Sequence, residues 1–164
     1  MVRFAPLLCV CCLFLAASTL PAVAQDGTGS SDLHPEIVAA YPDPIADGDA
    51  GEFVVLRLPT EIDLAGYVFT DGDTTVSLSN VSRRGRVALS AGPDRARNHT
   101  AAPVVAVDRL GLANSGEHLQ VRRNGTVVDR AVYRDTEAGE RVTWNGTEPV
   151  WRPIGATDRP VVSA

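Results

Sequence analysis

The amino-acid sequence predicts an all-β protein built as a sandwich of about seven or eight short strands. From residue 34 onward, short apolar runs rich in strand formers alternate with turn residues about every 8–15 positions. The pair Asn124-Gly125 is a strong signal for a tight hairpin. Helical character is confined to a single turn at residues 94–98. With 164 residues, 45% of them hydrophobic, the chain is long enough for a two-sheet core.

Six strand-like runs precede the hairpin. The third of them ends at Asp71-Gly72-Asp73, a sequence that favours a turn. The fourth is short and alternates polar with apolar residues, which is typical of a half-buried strand. In chain order, the six runs cover residues 34–41, 53–58, 66–70, 75–78, 86–90 and 103–107.

The predicted hairpin closes the sandwich. Residues 118–122 alternate cleanly between polar and apolar side chains, and residues 127–133 form the returning strand after Asn124-Gly125. Gly66 and Gly116 lie at strand starts, where a positive φ or a close backbone approach is expected. The predicted core consists of Leu56, Leu64, Phe69, Leu89, Leu119, Val121, Val128 and Tyr133.

Residues 1–24 have the pattern of a secretory signal peptide. Arg3 supplies a positive charge, and an apolar run of 11 residues, too short to cross a bilayer, spans residues 7–17. Ala22-Val23-Ala24 fits a signal peptidase site, which predicts cleavage between Ala24 and Gln25 and a secreted or cell-surface protein. The chain's three cysteines all lie in this apolar run, so the mature chain has no disulfide or thiolate metal site.

Three segments follow in the mature chain. Residues 25–33 form a polar Gly/Ser linker, and residues 34–134 form the predicted sandwich. Residues 135–164 are expected to be an extended tail that either packs on the sandwich or leads into a further part of the protein, and its one strand-like run spans residues 141–144. Its Trp144 and Trp151 could form a ligand platform or cover an open sandwich edge. The way the chain ends suggests that it is a piece of a longer protein.

The charge of the chain limits its partners and its chemistry. Net charge is −5, and all 15 basic residues are Arg, since the sequence contains no Lys. An acidic chain without Lys is a poor candidate for non-specific binding to nucleic acid or anionic lipid. Schiff-base, P-loop and Ser–Lys chemistry are excluded because each needs an amine. Because no other segment has membrane-spanning length, we expect no stable membrane insertion of the mature chain.

Several segments resemble the lamin tail domain family, whose members are immunoglobulin-like β-sandwiches. The likeness includes a proline-containing loop before an acidic residue and an apolar strand, and a leucine–small–glycine–aromatic signature with Tyr67 where Trp is usual. The last part of the likeness is a two-part sequence pattern, with Asn114 and Gly116 in its first part and Asp129 and Tyr133 in its second part. The similar segments are residues 36–44 with 51–56, residues 63–72, and residues 112–121 with 124–133, so that the resemblance covers roughly residues 34–134.

The resemblance implies a non-catalytic module of adhesion or tethering at the cell surface, with a protein or glycan partner. Some similar secreted haloarchaeal proteins carry the module before a phospholipase D-type phosphodiesterase region. That region requires paired His and Lys motifs, and this chain has no Lys and only His34, His99 and His118. The alternative function is therefore an accessory N-terminal module of such a secreted phosphodiesterase or nuclease, with the catalytic region absent from this chain. We expect no catalytic residues and no cofactor other than calcium.

The calcium prediction rests on four acidic residues within ten positions of one loop. Carboxylate oxygens are the ligands that Ca²⁺ prefers, although the spacing differs from that of an EF-hand and Asp also favours turns. Asp71 and Asp73 form a second, weaker pair with the same alternative explanation. The four residues are Asp43, Asp47, Asp49 and Glu52.

Two arginine groups have alternative explanations. The cluster Arg83, Arg84 and Arg86 could bind a phosphate or sulfate, although a solvated loop that partners the many acidic residues is the simpler explanation. Arg122 and Arg123 at the hairpin are interpreted in the same way. The three histidines lack a second His or Cys at ligand spacing, and His118 is expected on a strand surface.

Four sites match the rule for N-glycosylation. The same residues favour turns, but four matches in an exported chain predict at least one occupied site. Acidic charge, absence of Lys and these sites together suggest a halophilic archaeal glycoprotein; a GC-rich genome would also replace Lys by Arg. The four asparagines are Asn80, Asn98, Asn124 and Asn145.

Overall fold

The protein is a two-sheet, sandwich-like β structure, seen in a computed structural model. The structure describes residues 34–45, 49–145 and 148–154. A 3-10 helix, Asp49–Gly51, precedes the second strand, and a short helix, α1 (Pro93–Ala96), follows the fifth. The strands are β1 (Glu36–Tyr41), β2 (Phe53–Leu58), β3 (Tyr67–Thr70), β4 (Thr75–Ser77), β5 (Gly85–Ser90), β6 (Val104–Ala106), β7 (Gly116–Arg123), β8 (Thr126–Arg134), β9 (Glu140–Asn145) and β10 (Glu148–Pro153).

The larger sheet has six strands in the order β10-β9-β1-β2-β5-β6. Its pairs are antiparallel except for β5 and β6, which are parallel and are connected through α1. A register shift between Ile37 and Ala39 marks an irregularity in β1. At this point the Ile37 amide donates a hydrogen bond of 2.6 Å to the Asp129 carboxylate of β8. Asp129 thus satisfies a backbone amide of the other sheet and ties the two sheets together.

The smaller sheet has four antiparallel strands in the order β4-β3-β7-β8. Its longest pair is the hairpin β7–β8, and the turn that the sequence predicts at Asn124-Gly125 is confirmed. Both residues have positive φ, 49° and 86°, as a tight hairpin turn of this kind requires. A register shift follows Val121, so one extra residue of β8 faces β7 there.

The hydrophobic core fills the space between the sheets. Strand periodicity explains it, because alternate residues of β2, β3, β7 and β8 face inward. Seven of the eight predicted core residues are buried, and the eighth, Val128, is partly buried against the same cluster. The buried seven are Leu56, Leu64, Phe69, Leu89, Leu119, Val121 and Tyr133.

A second apolar cluster lies on the outer face of the six-stranded sheet. Tyr41, Phe53 and Val55 are buried there, together with Ala96 of α1. The Tyr41 ring lies 5.3 Å from the rings of both Phe53 and His99. The helix and the residues that follow it therefore cover this outer face. Residues 94–98, expected to form the one helical turn, overlap α1.

The described residues form ten strands, which corrects the predicted count of about seven or eight. The eight runs expected from the sequence all form strands. The additional two, β9 and β10, come from residues 135–164, which were expected to be an extended tail. β9 pairs with β1, so the six-stranded sheet extends beyond residue 134. Only residues 141–144 of this segment had a strand-like pattern, because Pro149 and Pro153 make the sequence of β10 unlike that of a strand.

The two glycines singled out in the sequence have the expected backbone conformations. Gly66 has φ +76°, and Gly116 has φ +108°. A Cβ atom at Gly116 would lie 2.7 Å from the carbonyl oxygen of Tyr133, so a larger residue there would collide with β8. No described helix is long and apolar enough to cross a membrane.

Candidate functional site

Three carboxylates face inward at one end of the sandwich. Glu52 precedes β2, Asp71 follows β3, and Glu117 belongs to β7. Each continues the inward-facing row of its own strand, two residues from Val54, Phe69 and Leu119 respectively. Glu52 and Asp71 are only 2% and 3% exposed, which is unusual for carboxylates and requires hydrogen bonds or counter-charges.

The loop between β6 and β7 lies across this end and is held by the carboxylates. The Leu112 amide donates to the Glu52 carboxylate at 3.0 Å, and the Ala113 amide donates to the Glu117 carboxylate at 3.3 Å. The Tyr133 hydroxyl donates to the Ala113 carbonyl at 2.9 Å. The same hydroxyl lies 3.3 Å from the Glu117 carboxylate. The arrangement anchors one loop and closes one end of the core.

Electrostatics at this end favour a protonated Glu117. The pKa of its carboxyl is raised from 4.5 to about 7, first by burial and then by the negative charges of Asp71 and Asp73, while the hydrogen bonds from Ala113 and Tyr133 act in the opposite direction. Burial likewise raises the pKa of Tyr133, with Glu117 as the second cause. Asp71 Oδ1 accepts the amides of Asp73 and Thr74, at 3.0 and 2.5 Å, whereas its buried Oδ2 has no hydrogen-bond partner among the described residues.

The acidic loop predicted to bind calcium is divided by the fold. The Glu52 carboxylate faces the core, where it accepts the amide of Leu112. Asp43 lies near a different segment, since its carbonyl accepts the amide of Gly139. Asp47 and the side chain of Asp49 lie outside the described residues. Within the described ranges, no three His, Cys, Asp or Glu side chains form a group that could hold a metal ion. Calcium binding in this loop stays a sequence prediction.

The outer face of the four-stranded sheet is basic, although the chain as a whole is acidic. Arg122, Arg130 and Arg134 alternate with the inward-facing residues of β7 and β8, so they share this face with His118 and Gln120. Cross-strand register places Gln120 opposite Arg130. All four strands lie within the described residues, and none of their outward-facing side chains is a carboxylate.

This basic face is open, in contrast to the outer face of the other sheet. His118, Arg130 and Arg134 are exposed, and Arg122 is half-buried, with its Nε donating to Gln120 at 2.8 Å. The ion pairs found among the described side chains, Arg57–Glu36 and Arg97–Asp94, lie elsewhere. The guanidinium groups of Arg130 and Arg134 therefore have no described carboxylate partner.

Sequence reasoning found part of these features. It placed His118 on a strand surface, as observed, but treated Arg122 as part of a solvated hairpin tip and did not single out Arg130 or Arg134. The outward positions of β8 follow only from the register, because one extra residue shifts the alternation after Val121. Glu117 was also missed, although the alternation through Leu119 and Val121 already places it on the inward face.

In the cluster Arg83, Arg84 and Arg86, one arginine has a structural role within its own loop. Arg84 Nη1 donates to the carbonyls of Val81 and Arg83, at 2.8 and 3.0 Å, and so supports its own loop. Arg83 and Arg86 are exposed. The structure shows no bidentate arrangement of the three guanidinium groups among the described contacts.

The predicted glycosylation sites are accessible where they are described. Asn80, Asn98 and Asn124 are exposed, each in a turn, while the side chain of Asn145 lies outside the description. Their occupancy stays a prediction, as do the signal peptide with cleavage after Ala24 and the linker, which fall outside the described residues.

The two C-terminal tryptophans differ in environment. Trp144 packs against the main core, and its indole Nε1 donates to the Val132 carbonyl of the edge strand β8 at 3.2 Å. Of the two roles considered for these residues, covering a sandwich edge is the one that Trp144 performs. Trp151, in β10, is 37% exposed beside Val150.

Comparison of the chain with protein-family models, with curated proteins and with solved structures gave no match.

Proposed function

We propose that this chain is a secreted, non-catalytic binding or tethering module with an immunoglobulin-like sandwich, and that its contact surface is the basic outer face of the four-stranded sheet. One observation carries the proposal. Of the two outer sheet faces, one is covered by α1 and a second apolar cluster, whereas the other exposes arginines without described carboxylate partners. In a chain of net charge −5, such a face attracts anionic partners.

The buried carboxylates support a structural interpretation of the acidic end. Glu52 and Glu117 each accept a backbone amide of the same loop, and Tyr133 donates to that loop as well. These hydrogen bonds hold the loop between β6 and β7 in place, which is a structural role. The resemblance to lamin tail domains supports the same non-catalytic function.

Retention on a sulfonate cation exchanger tests the proposal. We expect the mature chain, residues 25–164, to be retained at pH 7 and low ionic strength despite its net negative charge. The triple variant Arg122→Gln, Arg130→Gln, Arg134→Gln is expected to pass through the column, because its open face no longer carries the guanidinium groups.

A matched control removes the same charge elsewhere. Arg83, Arg86 and Arg109 are exposed and lie outside the basic face, so their joint replacement by Gln is expected to leave retention close to that of the native chain. Equal loss of retention in both triple variants would contradict a localised contact surface. Turnover of phosphodiester substrates by the mature chain would contradict a non-catalytic function.

A further inference from the structure

We propose that the basic face binds an acidic polysaccharide, an extended polymer whose carboxylate or sulfate groups contact Arg122, Arg130 and Arg134. This inference rests on the proposed function and names its ligand class. Guanidinium groups present paired donors that match carboxylate and sulfate oxygens, and Gln120 adds an amide between them.

The spacing of the cationic groups fits a polymer with widely spaced charges. Arg130 and Arg134 are four residues apart on β8, about 13–14 Å at the usual rise of a strand. Arg122 lies on the neighbouring strand beyond Arg130, and His118 lies between Arg130 and Arg134 in the register. Together they form a band about 20 Å long, with one cationic or hydrogen-bonding group roughly every 7 Å.

The remaining surface of the band favours a polar ligand over a protein or single-stranded nucleic acid. Apart from the imidazole of His118, the outward positions of the four described strands carry no aromatic ring on which a base could stack. Exposed apolar area is small, since Val127 is 36% exposed and Val132 is half-buried. A stable protein interface would require a larger buried apolar centre.

Duplex nucleic acid fits less well because of its charge density. Its backbone carries about one charge per 1.7 Å, far denser than the three guanidinium groups of the band. The net charge of −5 also opposes a dense polyanion at longer range. A flexible chain of acidic sugars lies along the band and remains clear of the acidic surfaces.

Fluorescence anisotropy with labelled oligogalacturonate and labelled chondroitin sulfate oligosaccharide tests the inference, with neutral dextran and a 20-base-pair duplex as comparison ligands. We expect the mature chain to bind at least one acidic polysaccharide more tightly than the duplex, and not to bind neutral dextran. Affinity is expected to fall with added salt. The variant Arg130→Gln, Arg134→Gln is expected to bind roughly tenfold more weakly.

The control variant Arg83→Gln, Arg86→Gln has the same net charge as the Arg130→Gln, Arg134→Gln variant. Its affinity is expected to remain within about twofold of that of the native chain. Tighter binding of the duplex, or equal weakening by both double variants, would overturn the inference. Retention on the sulfonate column without binding of either polysaccharide would also overturn it while leaving the proposed function in place. If the mature chain neither is retained on the column nor binds either polysaccharide, the proposed function and this inference are both refuted.

Discussion

Replacing Glu117 by Gln measures how much the buried carboxyl group affects stability at the closed end of the sandwich, the end where Glu52, Asp71 and Glu117 face inward. Because the folded chain raises the pKa of Glu117 from 4.5 to about 7, the native state holds a proton that the unfolded chain releases. The contribution of this proton to stability is complete below pH 4.5 and is lost as pH rises through about 7. The glutamine side chain of the variant is neutral throughout and keeps an oxygen for the amide of Ala113.

The size of the effect follows from the shift. A rise of the Glu117 pKa from 4.5 to about 7 corresponds to a free-energy difference of about 3 kcal/mol before solvent screening is considered. The side chain is only half-buried, so solvent screening reduces this to about 1–2 kcal/mol. We therefore expect the free energy of unfolding of the variant, relative to the native chain, to rise by about 1–2 kcal/mol between pH 5 and pH 8.

Urea unfolding of both chains at pH 5, 6, 7 and 8 measures this difference. Taking the difference between chains cancels the titration of all carboxylates that they share. The exposed Glu61→Gln variant is the matched control for losing a carboxylate away from the closed end. A difference between the native chain and the Glu117 variant that does not change with pH would refute the assigned environment of Glu117.

Three further predictions concern stability and are measured by denaturant unfolding at pH 7. Asp129→Ala leaves the Ile37 amide without its acceptor and is expected to cost about 1.5–3 kcal/mol, whereas Asp129→Asn, which keeps an acceptor oxygen, is expected to cost less. Gly116→Ala is expected to cost more than about 1 kcal/mol because of its positive φ and the Tyr133 carbonyl 2.7 Å away. Phe69→Ala removes a fully buried ring and is expected to cost about 3–5 kcal/mol. Changes under about 0.5 kcal/mol, the usual range of neutral surface substitutions, would contradict each.

Local sequence patterns predicted much of the fold because strand periodicity and turn chemistry are local. The hairpin at Asn124-Gly125 is an example, since those two residues adopt the positive φ values that the turn requires. The strand β10 shows the limit. Its prolines are typical of non-strand sequence, and it forms because β9 supplies a partner, which is a long-range effect of the fold.

The candidate site was less predictable for the same reason. Glu52, Asp71 and Glu117 come from separate parts of the chain, and only the packing of the two sheets brings them to one end. The sequence grouped Glu52 with its neighbour Asp43, yet Glu52 points into the core. The basic face likewise depends on the register of β7 with β8, including the irregularity after Val121 that no local pattern predicts.

Chemical-shift mapping of the isotopically labelled mature chain with oligogalacturonate tests the central claim most directly. The claim is that the outer face of the four-stranded sheet is the contact surface. We expect the largest changes at His118, Gln120, Arg130 and Arg134, and small changes on the face covered by α1. Changes centred on the loop of Arg83, or spread evenly over the surface, would contradict it.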